Sequence, residues 1–259
     1  METQLSTLER RKFILDEVSL NSIVKVKELV DRFKVSEVTI RKDLAQLENK
    51  RQLIKIRGGA IAIKNHSGGE DMPVNEKQRQ HLMEKQRIGK AAAALVKENN
   101  TIIIDSGTTA CEVARNLGKF NDLTIITNAL NVAGILNEYK RFSTIVPGGF
   151  LRHTSQSLTG HMAENVLKSF FCDILFLGVD SFSLEKGLST PVPEEARINQ
   201  IMISIAKEVV AVFDSSKFNK RGFAFIAEVS EIDTIITDEN IPQDIHKKLL
   251  EMGKRVIIA

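Results

Sequence analysis

Residues 35–62, VSEVTIRKDLAQLENKRQLIKIRGGAIA, decide the fold of the N-terminal part of the chain. Ser36 is a favourable N-cap residue for a helix. The apolar residues that follow recur at i, i+4 and i+7 along one helical stripe: Ile40, Leu44 and Leu47. Just before them, Val26–Phe33 reads as a second amphipathic helix, separated by a very short turn. Two helices joined so tightly predict a helix-turn-helix motif.

A glycine turn after this helix predicts a β-hairpin. The runs Leu53–Arg57 and Ala60–Ile63 read as two short strands around Gly58-Gly59. Such a hairpin is the wing of a winged helix, and Ile23 and Val24 are candidates for a short strand that pairs with it. The sequence therefore predicts a winged helix-turn-helix domain.

Polar side chains on the outward face of the helix and on the wing predict contact with DNA. The candidate residues are Ser36, Glu37, Thr39, Arg41, Lys42 and Gln46 on the helix, and Lys55 and Arg57 on the wing. We expect Glu37, Thr39 and Gln46 to meet base edges and the four basic residues to meet phosphates. A solvated face of an ordinary helical hairpin is the simpler interpretation, but the order of tight turn, polar helix and basic glycine wing favours DNA binding.

Positive charge is concentrated in the first quarter of the chain. Residues 1–64 hold 14 Lys and Arg against 9 Asp and Glu, a net charge of +5, whereas all 259 residues carry +3. A local excess of positive charge is expected where a protein contacts phosphates. The chain has no Trp and one Tyr, so it lacks the aromatic platforms of single-strand binders, and double-stranded DNA is the expected partner.

The composition also narrows the compartment and the chemistry. Cys111 and Cys172 are too few and too far apart for a disulfide framework or a zinc finger, and we expect no metal and no cofactor. The charged, amphipathic N-terminus does not resemble a signal peptide, and no apolar run approaches the roughly 20 residues that span a bilayer. The sequence predicts a soluble cytoplasmic protein that is associated with the nucleoid when bound to DNA.

Shifts in composition predict two domains and a linker. A first helix over Thr7–Val18 would support the helix-turn-helix, and its charged residues Glu9–Lys12 are interpreted as solvated surface. The polar stretch around Gly68-Gly69 and Pro73 reads as a linker, within which Val74–Met83 is a candidate helix lying against the second domain. The predicted boundaries are 1–63 for the DNA-binding domain, 64–86 for the linker and 87–259 for the larger domain.

The larger domain alternates short β-branched runs with helical patterns, which predicts an α/β fold with a largely parallel sheet. The predicted strands are 101–105, 123–127, 143–147, 173–179, 209–213, 234–237 and 255–259. The predicted helices are 88–96, 111–117, 131–139, 163–169, 194–206 and 243–252. Ligands bind such sheets at the carboxyl ends of the strands.

The residues that end these strands predict an anion site. Asp105, Ser106, Gly107, Thr108 and Thr109 join a strand to a helix, where backbone N–H groups and hydroxyls suit a phosphate. Simple N-capping is the alternative. Further polar or glycine strand ends are Thr127-Asn128, Gly148-Gly149, Asp180 and Asp214–Lys217. Together they predict a pocket for a small polyhydroxylated anion with Lys217 as counter-charge, and Glu195 and Arg197 are candidates for sugar hydroxyls.

The whole chain resembles the DeoR family of bacterial sugar-responsive transcription regulators. The motifs that carry the resemblance are VSEVTIRKDLAQLE, IRGGA, DSGTT, LGVD and DSSKF, in this order. Three longer stretches, GGFLRHTSQSLTG, DILFLGVDSFSLEKGLST and EEARIN, are similar to the AgaR branch, repressors of N-acetylgalactosamine and galactosamine utilisation. The resemblance implies that the second domain is an effector domain related to the ribose-phosphate isomerase fold.

The resemblance also implies a function and a set of site residues. A repressor would bind operator DNA and release it when a phosphorylated sugar, of the hexosamine 6-phosphate or tagatose phosphate class, occupies the second domain. Asp105 to Thr109 would hold the phosphate, and Arg152 and Gln156 would select the sugar. The residues implied at the sugar end are Thr127, Asn128, Gly148, Gly149, Asp180, Glu195 and Lys217.

Two other functions are compatible with the sequence. A sugar-phosphate isomerase fused to a DNA-binding domain would need a general base, for which Asp180 and Glu195 offer carboxylates. The resemblance implies a further aspartate three residues after Asp180, where this chain has Ser183. A constitutive architectural DNA binder would show no response to a ligand. We expect a regulator and not an enzyme, and a homo-oligomer, dimer or tetramer, on repeated half-sites.

Overall fold

The computed structural model describes residues 6–21, 23–49, 53–56, 58–62 and 71–259, in two units divided between His66 and Ser67. The N-terminal unit contains α1 (Thr7–Asn21), β1 (Ile23–Lys25), α2 (Val26–Phe33), α3 (Glu37–Asn49), β2 (Leu53–Ile56) and β3 (Gly59–Ala62). β3 pairs antiparallel with both β1 and β2. The predicted winged helix-turn-helix is confirmed.

The turn between α2 and α3 follows from local chemistry. Lys34 ends α2 in the left-handed conformation with φ 52°, and its N–H donates to Val30 O. Ser36 then accepts a hydrogen bond at Oγ from Thr39 N–H, as an N-cap residue does. The predicted stripe of α3 packs into a core shared with the other two helices, whose buried residues include Ile14, Val18, Leu29, Ile40, Leu44 and Leu47.

The charged face of α1 is only partly solvated, which corrects the interpretation of Glu9–Lys12. Arg10 is buried, and its Nε donates to Asp43 Oδ2 at 2.6 Å. Arg11 Nε donates to the other oxygen of the same carboxylate at 2.7 Å. Asp43 lies on α3, so two cations of α1 are bridged by one buried anion of the helix predicted to read DNA.

The described part of the second unit, residues 71–259, alternates helices with strands along the chain. They are α4 (Val74–Arg79), α5 (Leu82–Ala93), β4 (Thr101–Ile104), α6 (Thr108–Arg115), β5 (Thr124–Ile126), α7 (Leu130–Leu136), β6 (Ser143–Ile145), β7 (Phe150–Arg152), β8 (Ser157–Thr159), α8 (His161–Leu167), β9 (Cys172–Gly178), β10 (Ser181–Ser183), β11 (Gly187–Thr190), α9 (Pro193–Ser204), β12 (Ala206–Val212), β13 (Ala224–Ala227), β14 (Thr234–Thr237), α10 (Gln243–Glu251) and β15 (Arg255–Ile258).

Seven of these strands form the predicted parallel sheet, in the order β15-β14-β12-β9-β4-β5-β6. Along β4, Ile103 packs into one apolar cluster with α8, α9 and α10, whereas Ile102 and Ile104 pack into another with α5, α6 and α7. Because successive side chains of a strand point to opposite faces, the sheet is covered by helices on both sides. The α/β prediction is confirmed.

The strand order places a ligand cleft at the centre of the sheet. From β4 the chain continues outward through β5 and β6, whereas from the adjacent strand β9 it continues the other way through β12, β14 and β15. A parallel sheet binds ligands at the carboxyl end of such a switch point, because the loops diverge there. The loops that meet are Asp105–Gly107 after β4 and Val179-Asp180 after β9.

The linker prediction is wrong at its C-terminal side. Residues 74–79 form α4 and residues 82–86 begin α5, and both helices belong to the second unit. Their sequences look polar because only one narrow face of each helix is buried. This face contains Val74 in α4, and Ile88 and Ala92 in α5. The candidate helix over Val74–Met83 is in fact two helices, and they are separated at His81, which adopts φ 50°.

Two small antiparallel sheets were not predicted. β7 pairs with β8, and β10, β11 and β13 form a three-stranded sheet.

None of the helices in the part of the chain that the structure describes has the length and apolarity of a membrane span.

Candidate functional site

The exposed face of α3 carries the predicted DNA contacts, and two of them are paired with each other. Arg41 Nη2 lies 2.6 Å from Glu37 Oε1, one helical turn earlier. Lys42 and Gln46 are exposed and have no hydrogen-bond or ion-pair partner among the residues that the structure describes. Thr39 is half-buried, and its hydroxyl lies 2.9 Å from Ser36 Oγ. Among the described residues, the outward face of α3 therefore presents Lys42 and Gln46 without partners, and one ion pair that DNA would have to open.

The wing contributes one described basic side chain to this surface. Lys55 is exposed, its backbone N–H donates to Glu48 Oε1 at 3.0 Å, and its Nζ lies 3.5 Å from Glu48 Oε2. These contacts fix β2 against the end of α3. Arg57 lies outside the described residues.

In the second unit, the loop between β4 and α6 lines a cleft and has the features of an anion-binding site. Gly107 is the N-cap of α6 with φ 115°, a conformation that favours glycine, and it carries no side chain to cap the first turn. The N–H groups of the first turn of a helix have no intrahelical partner, and the helix dipole there favours negative charge. Asp105, Ser106, Gly107, Thr108 and Thr109 all line a cleft of about 690 Å³, open solvent at its mouth included.

Three lysines line this cleft: Lys85 is buried, and Lys77 and Lys217 are half-buried. Lys85 is 4% exposed, and its Nζ donates to the carbonyl oxygens of Lys77 and Gln80, at 2.6 Å each. Burial lowers the pKa of Lys85, Asp214 opposes the change, and the charges of Lys217 and Lys77 add to it. Burial likewise lowers the pKa of Lys217, despite Asp180 and Asp214. Desolvated, mutually repelling ammonium groups gain from a bound anion.

Lys77 is the third cation of the cleft, and it is held by a carboxylate. Its Nζ lies 2.7 Å from Asp180 Oδ1, and Thr190 Oγ1 donates to Asp180 Oδ2 at 3.3 Å. Burial would raise the pKa of Asp180, but the charges of Lys77 and Lys217 lower it below its ordinary value. Asp180 is therefore an anion that a ligand phosphate would have to compete with.

A buried carboxylate faces the same cleft. Asp105 is 3% exposed, and Gly178 N–H donates to its Oδ2 at 3.2 Å. Its Oδ1 has no hydrogen-bond partner within the described chain. Burial raises the pKa of Asp105 to about 7, the backbone of Ser106 and Gly178 opposes this, and the charge of Glu195 adds to it. Near neutral pH, Asp105 can therefore present either a carboxylate or a hydroxyl donor to a ligand.

Glu195 lines the cleft, and it is held by Arg152, which does not line it. Arg152 Nη1 donates to Glu195 Oε1, and its Nη2 lies 2.7 Å from Asp71 Oδ2. Ser157 Oγ donates to the same Glu195 oxygen at 3.1 Å. Arg152 acts through Glu195 and Asp71, which do line the cleft, and is not itself part of the lining.

Besides Arg152, five other predicted effector residues do not line the cleft. Thr127 accepts from Ala129 N–H and Asn128 donates to Leu158 O, so both serve the buried junction with β8. Gly149 allows close packing, because a Cβ there would lie 2.5 Å from Thr159 O. The remaining two, Gly148 and Gln156, have positive φ values that shape the turns beside β7 and β8. Thr127, Asn128, Gly148 and Gly149 thus lie outside the lining in which the sugar end was expected. Gln156, which was expected to select the sugar, lies directly before β8.

Other cleft residues were missed by sequence reasoning. They are Asp71, Lys77, Lys85, Ser155, Thr190 and Asn199. Lys85 could have been found, because it precedes Ile88, Gly89 and Ala92 by three, four and seven positions and so shares their buried helical face. Lys77 follows Val74 by three positions and gives the same, weaker signal in α4.

Ser183 stands where the isomerase alternative implies a further aspartate, three residues after Asp180. Ser183 ends β10, and its Oγ accepts from Lys186 N–H at 3.2 Å in a local turn. Ser183 does not line the cleft.

The sequence patterns of two known domain families match this chain. The DeoR C terminal sensor domain matches residues 80–239, and the DeoR-like helix-turn-helix domain matches residues 10–66. These ranges cover most of the residues that line the cleft and most of the winged helix.

Curated relatives match over nearly the full length. A putative aga operon transcriptional repressor of Escherichia coli O157:H7 is 38% identical over 253 residues, 98% of this chain and 94% of that protein. GolR, an HTH-type transcriptional regulator of Listeria innocua serovar 6a, is 32% identical over 251 residues, 97% of this chain and 98% of that protein.

Among solved structures, ribose 5-phosphate isomerase A of Methanocaldococcus jannaschii matches with a TM-score of 0.39 and 19% identity, covering 65% of this chain and 66% of that one. The full-length sorbitol operon regulator SorC of Klebsiella pneumoniae matches with a TM-score of 0.42 and 10% identity, covering 95% of this chain and 99% of that one.

Proposed function

Because this chain belongs to the DeoR family of DNA-binding transcriptional regulators, we propose that it represses an amino-sugar utilisation operon and leaves the operator when a phosphorylated sugar binds. The chain is a regulator and not an enzyme, as the names of its families and relatives indicate. The observation that carries the effector proposal is the uncapped first turn of α6, which faces a cleft with three lysines.

The cleft suggests how the sugar phosphate lies. The phosphate accepts hydrogen bonds from the backbone and hydroxyls of Ser106 to Thr109, with Lys85 and Lys217 as counter-charges. The sugar hydroxyls then meet Asp180, Glu195 and Asn199, which also line the cleft. Arg152 positions Glu195 and so contributes to the choice of sugar.

The choice of an amino sugar rests on sequence similarity. The E. coli relative is named for the aga operon, and the AgaR-like stretches of this chain include Arg152, which orients Glu195. Galactosamine 6-phosphate, its N-acetyl form and the tagatose phosphates are the first effectors to test.

We expect these sugar phosphates to raise the melting temperature of the protein, and Thr108→Asp to abolish the rise. A ligand at 100 times its Kd stabilises the folded state by about 2.7 kcal/mol. Asp at the start of α6 suits the helix dipole, so folding should survive, but its charge repels the phosphate. The measurement is a thermal-shift screen with inorganic phosphate alongside the sugars. Thr144→Asp, at an exposed position of edge strand β6, is the matched control. An undiminished shift in Thr108→Asp would move the phosphate elsewhere.

The proposed contacts with DNA are assigned from the exposed side chains of α3 and the wing. The outward residues of α3 and Ser36, which precedes it, enter the major groove. Thr39 and Gln46 meet base edges there, and Lys42, Lys55 and Arg57 neutralise phosphates. Glu37 meets bases only after Arg41 turns from it to a phosphate. Two or more copies on repeated half-sites give the specificity that one winged helix lacks. The site of action is the cytoplasm, at the nucleoid.

Replacing Lys42 and Thr39 by alanine should have different consequences. We expect Lys42→Ala to weaken all duplexes alike and to lower the salt slope of binding by about 1. Thr39→Ala should weaken the preferred duplex by about 1–3 kcal/mol and spare random DNA, since a base contact carries the sequence information. Fluorescence anisotropy against a duplex selected from a random pool measures both. Lys97→Ala, an exposed lysine of the sensor unit, is the control. Equal losses on both duplexes for both variants would refute the assignment.

A further inference from the structure

Residues 71–80, here called the strap, form one wall of the cleft and are fastened at three points. Asp71 Oδ2 lies 2.7 Å from Arg152 Nη2. Val74 N–H donates to Thr154 O at 2.7 Å, beside the β7–β8 hairpin. Lys77 Nζ lies 2.7 Å from Asp180 Oδ1, after β9. The strap is therefore held by both the hairpin and the switch point of the sheet.

The strap is also fixed to the helix that follows it. Lys85 on α5 donates to the carbonyl oxygens of Lys77 and Gln80 at the end of α4. α4 in turn packs against α6, the helix that begins at the phosphate loop. The backbone of Lys77 is therefore tied to a buried ammonium group, while its side chain is tied to Asp180.

An anion in the cleft competes with Asp180 for Lys77. Asp180 keeps a hydrogen bond from Thr190 and has Lys217 nearby, so it can release Lys77 without being left alone. A phosphate dianion offers three oxygens and more charge than one carboxylate. Occupancy of the cleft therefore changes which group holds the strap.

The strap lies close in sequence to the N-terminal unit. The N-terminal unit ends at His66, and Asp71 is five positions later. The strap is therefore the first described segment of the second unit after the N-terminal unit.

We propose that Lys77 exchanges Asp180 for the bound effector, and that this exchange, passed along the strap, makes DNA binding respond to the sugar phosphate. The inference rests on the proposed effector response, and it assigns Lys77 a positioning role beyond its contact with the anion.

Lys77→Gln separates binding from response. With the sugar phosphate that gives the largest thermal shift among galactosamine 6-phosphate, its N-acetyl form and the tagatose phosphates, we expect wild-type protein at saturation to bind its selected duplex about 5- to 150-fold more weakly. Lys77→Gln should bind the sugar phosphate more weakly, and even at saturation its affinity for the duplex should change less than twofold. Lys77→Arg keeps a cation that can exchange partners and should restore release. Arg79→Gln, an exposed residue of the same helix, should behave as wild type.

A second measurement keeps the test decisive if Lys77→Gln cannot be saturated or does not fold. In the wild-type protein, the sugar phosphate should change amide hydrogen exchange in α4 more than in α10, which does not contribute to the cleft. Full release of saturated Lys77→Gln, or unchanged exchange in α4, overturns the inference. If no sugar phosphate releases the wild-type protein, the proposed function fails first, which is a distinguishable result.

Discussion

Asp43→Ala is expected to unfold the DNA-binding unit while the sensor unit stays folded. Asp43 is 2% exposed, and its carboxylate neutralises Arg10, which is also buried, and Arg11. Removing one partner of a buried ion pair leaves an uncompensated charge and typically destabilises by about 3–5 kcal/mol. A unit of about 60 residues has little stability to lose, since small domains bury a smaller share of their surface. Operator binding should therefore be lost, although Asp43 is buried away from the surface that meets DNA.

Hydrogen exchange of the full-length variant distinguishes this outcome from global unfolding. Amides of α1, α2 and α3 should lose protection, while the strands of the parallel sheet keep theirs and the thermal shift with sugar phosphate persists. Asp31→Ala removes an exposed aspartate of α2 and should leave both properties intact. Full protection of α3 in Asp43→Ala would mean that the two arginines find water or other acceptors.

The Arg10–Asp43 pair shows what sequence patterns miss in this fold. The bounds of α2 agree with the prediction because the pattern of Val26, Leu29, Val30 and Phe33 is local. The seven sheet strands were found for the same reason, as short β-branched runs. Arg10 and Asp43 are 33 positions apart, and each looks like an ordinary solvated charge on an amphipathic helix. Only tertiary packing decides which charges of a helix are buried.

In the cleft, too, the residues with a local sequence signal were predicted and those placed by tertiary packing were not. Asp105 to Thr109, Asp180, Glu195 and Lys217 were predicted from strand ends, because parallel strands bring their carboxyl ends together. Thr127 and Gly149 ended strands as well, but the unpredicted β7–β8 hairpin covers them. Its strands have three residues each, too few for a periodic signal. Lys77 and Lys85 were lost in a polar stretch that was taken for a linker, since a long charged side chain gives no local sign of its partner.

Asp105→Asn is expected to stabilise the protein at alkaline pH. Between pH 4 and 7 the folded protein keeps a proton on Asp105 that the unfolded chain has lost, because burial raises the pKa of this group to about 7. The free energy of unfolding of the wild-type protein therefore falls as pH rises through this window, and stays lowered above it. The rise from 3.8 to about 7 sets an upper limit of about 4 kcal/mol for the effect. Asparagine can still accept from Gly178 N–H and carries no charge to bury.

Denaturant titrations at pH 5 and pH 8 measure this directly. The stability advantage of Asp105→Asn should be larger at pH 8, whereas Asp122→Asn, at an exposed position of the same unit, should show no such increase.

The Asp105 carboxyl group also links effector binding to proton uptake. A phosphate beside Asp105 further favours its protonated form, so wild-type protein should take up more protons on binding at pH 7.5 than Asp105→Asn. Calorimetry in buffers of different ionisation enthalpy counts those protons. Equal proton uptake, together with equal stability slopes, would mean that Asp105 is already ionised in the folded protein and that the anion approaches from the lysine side alone.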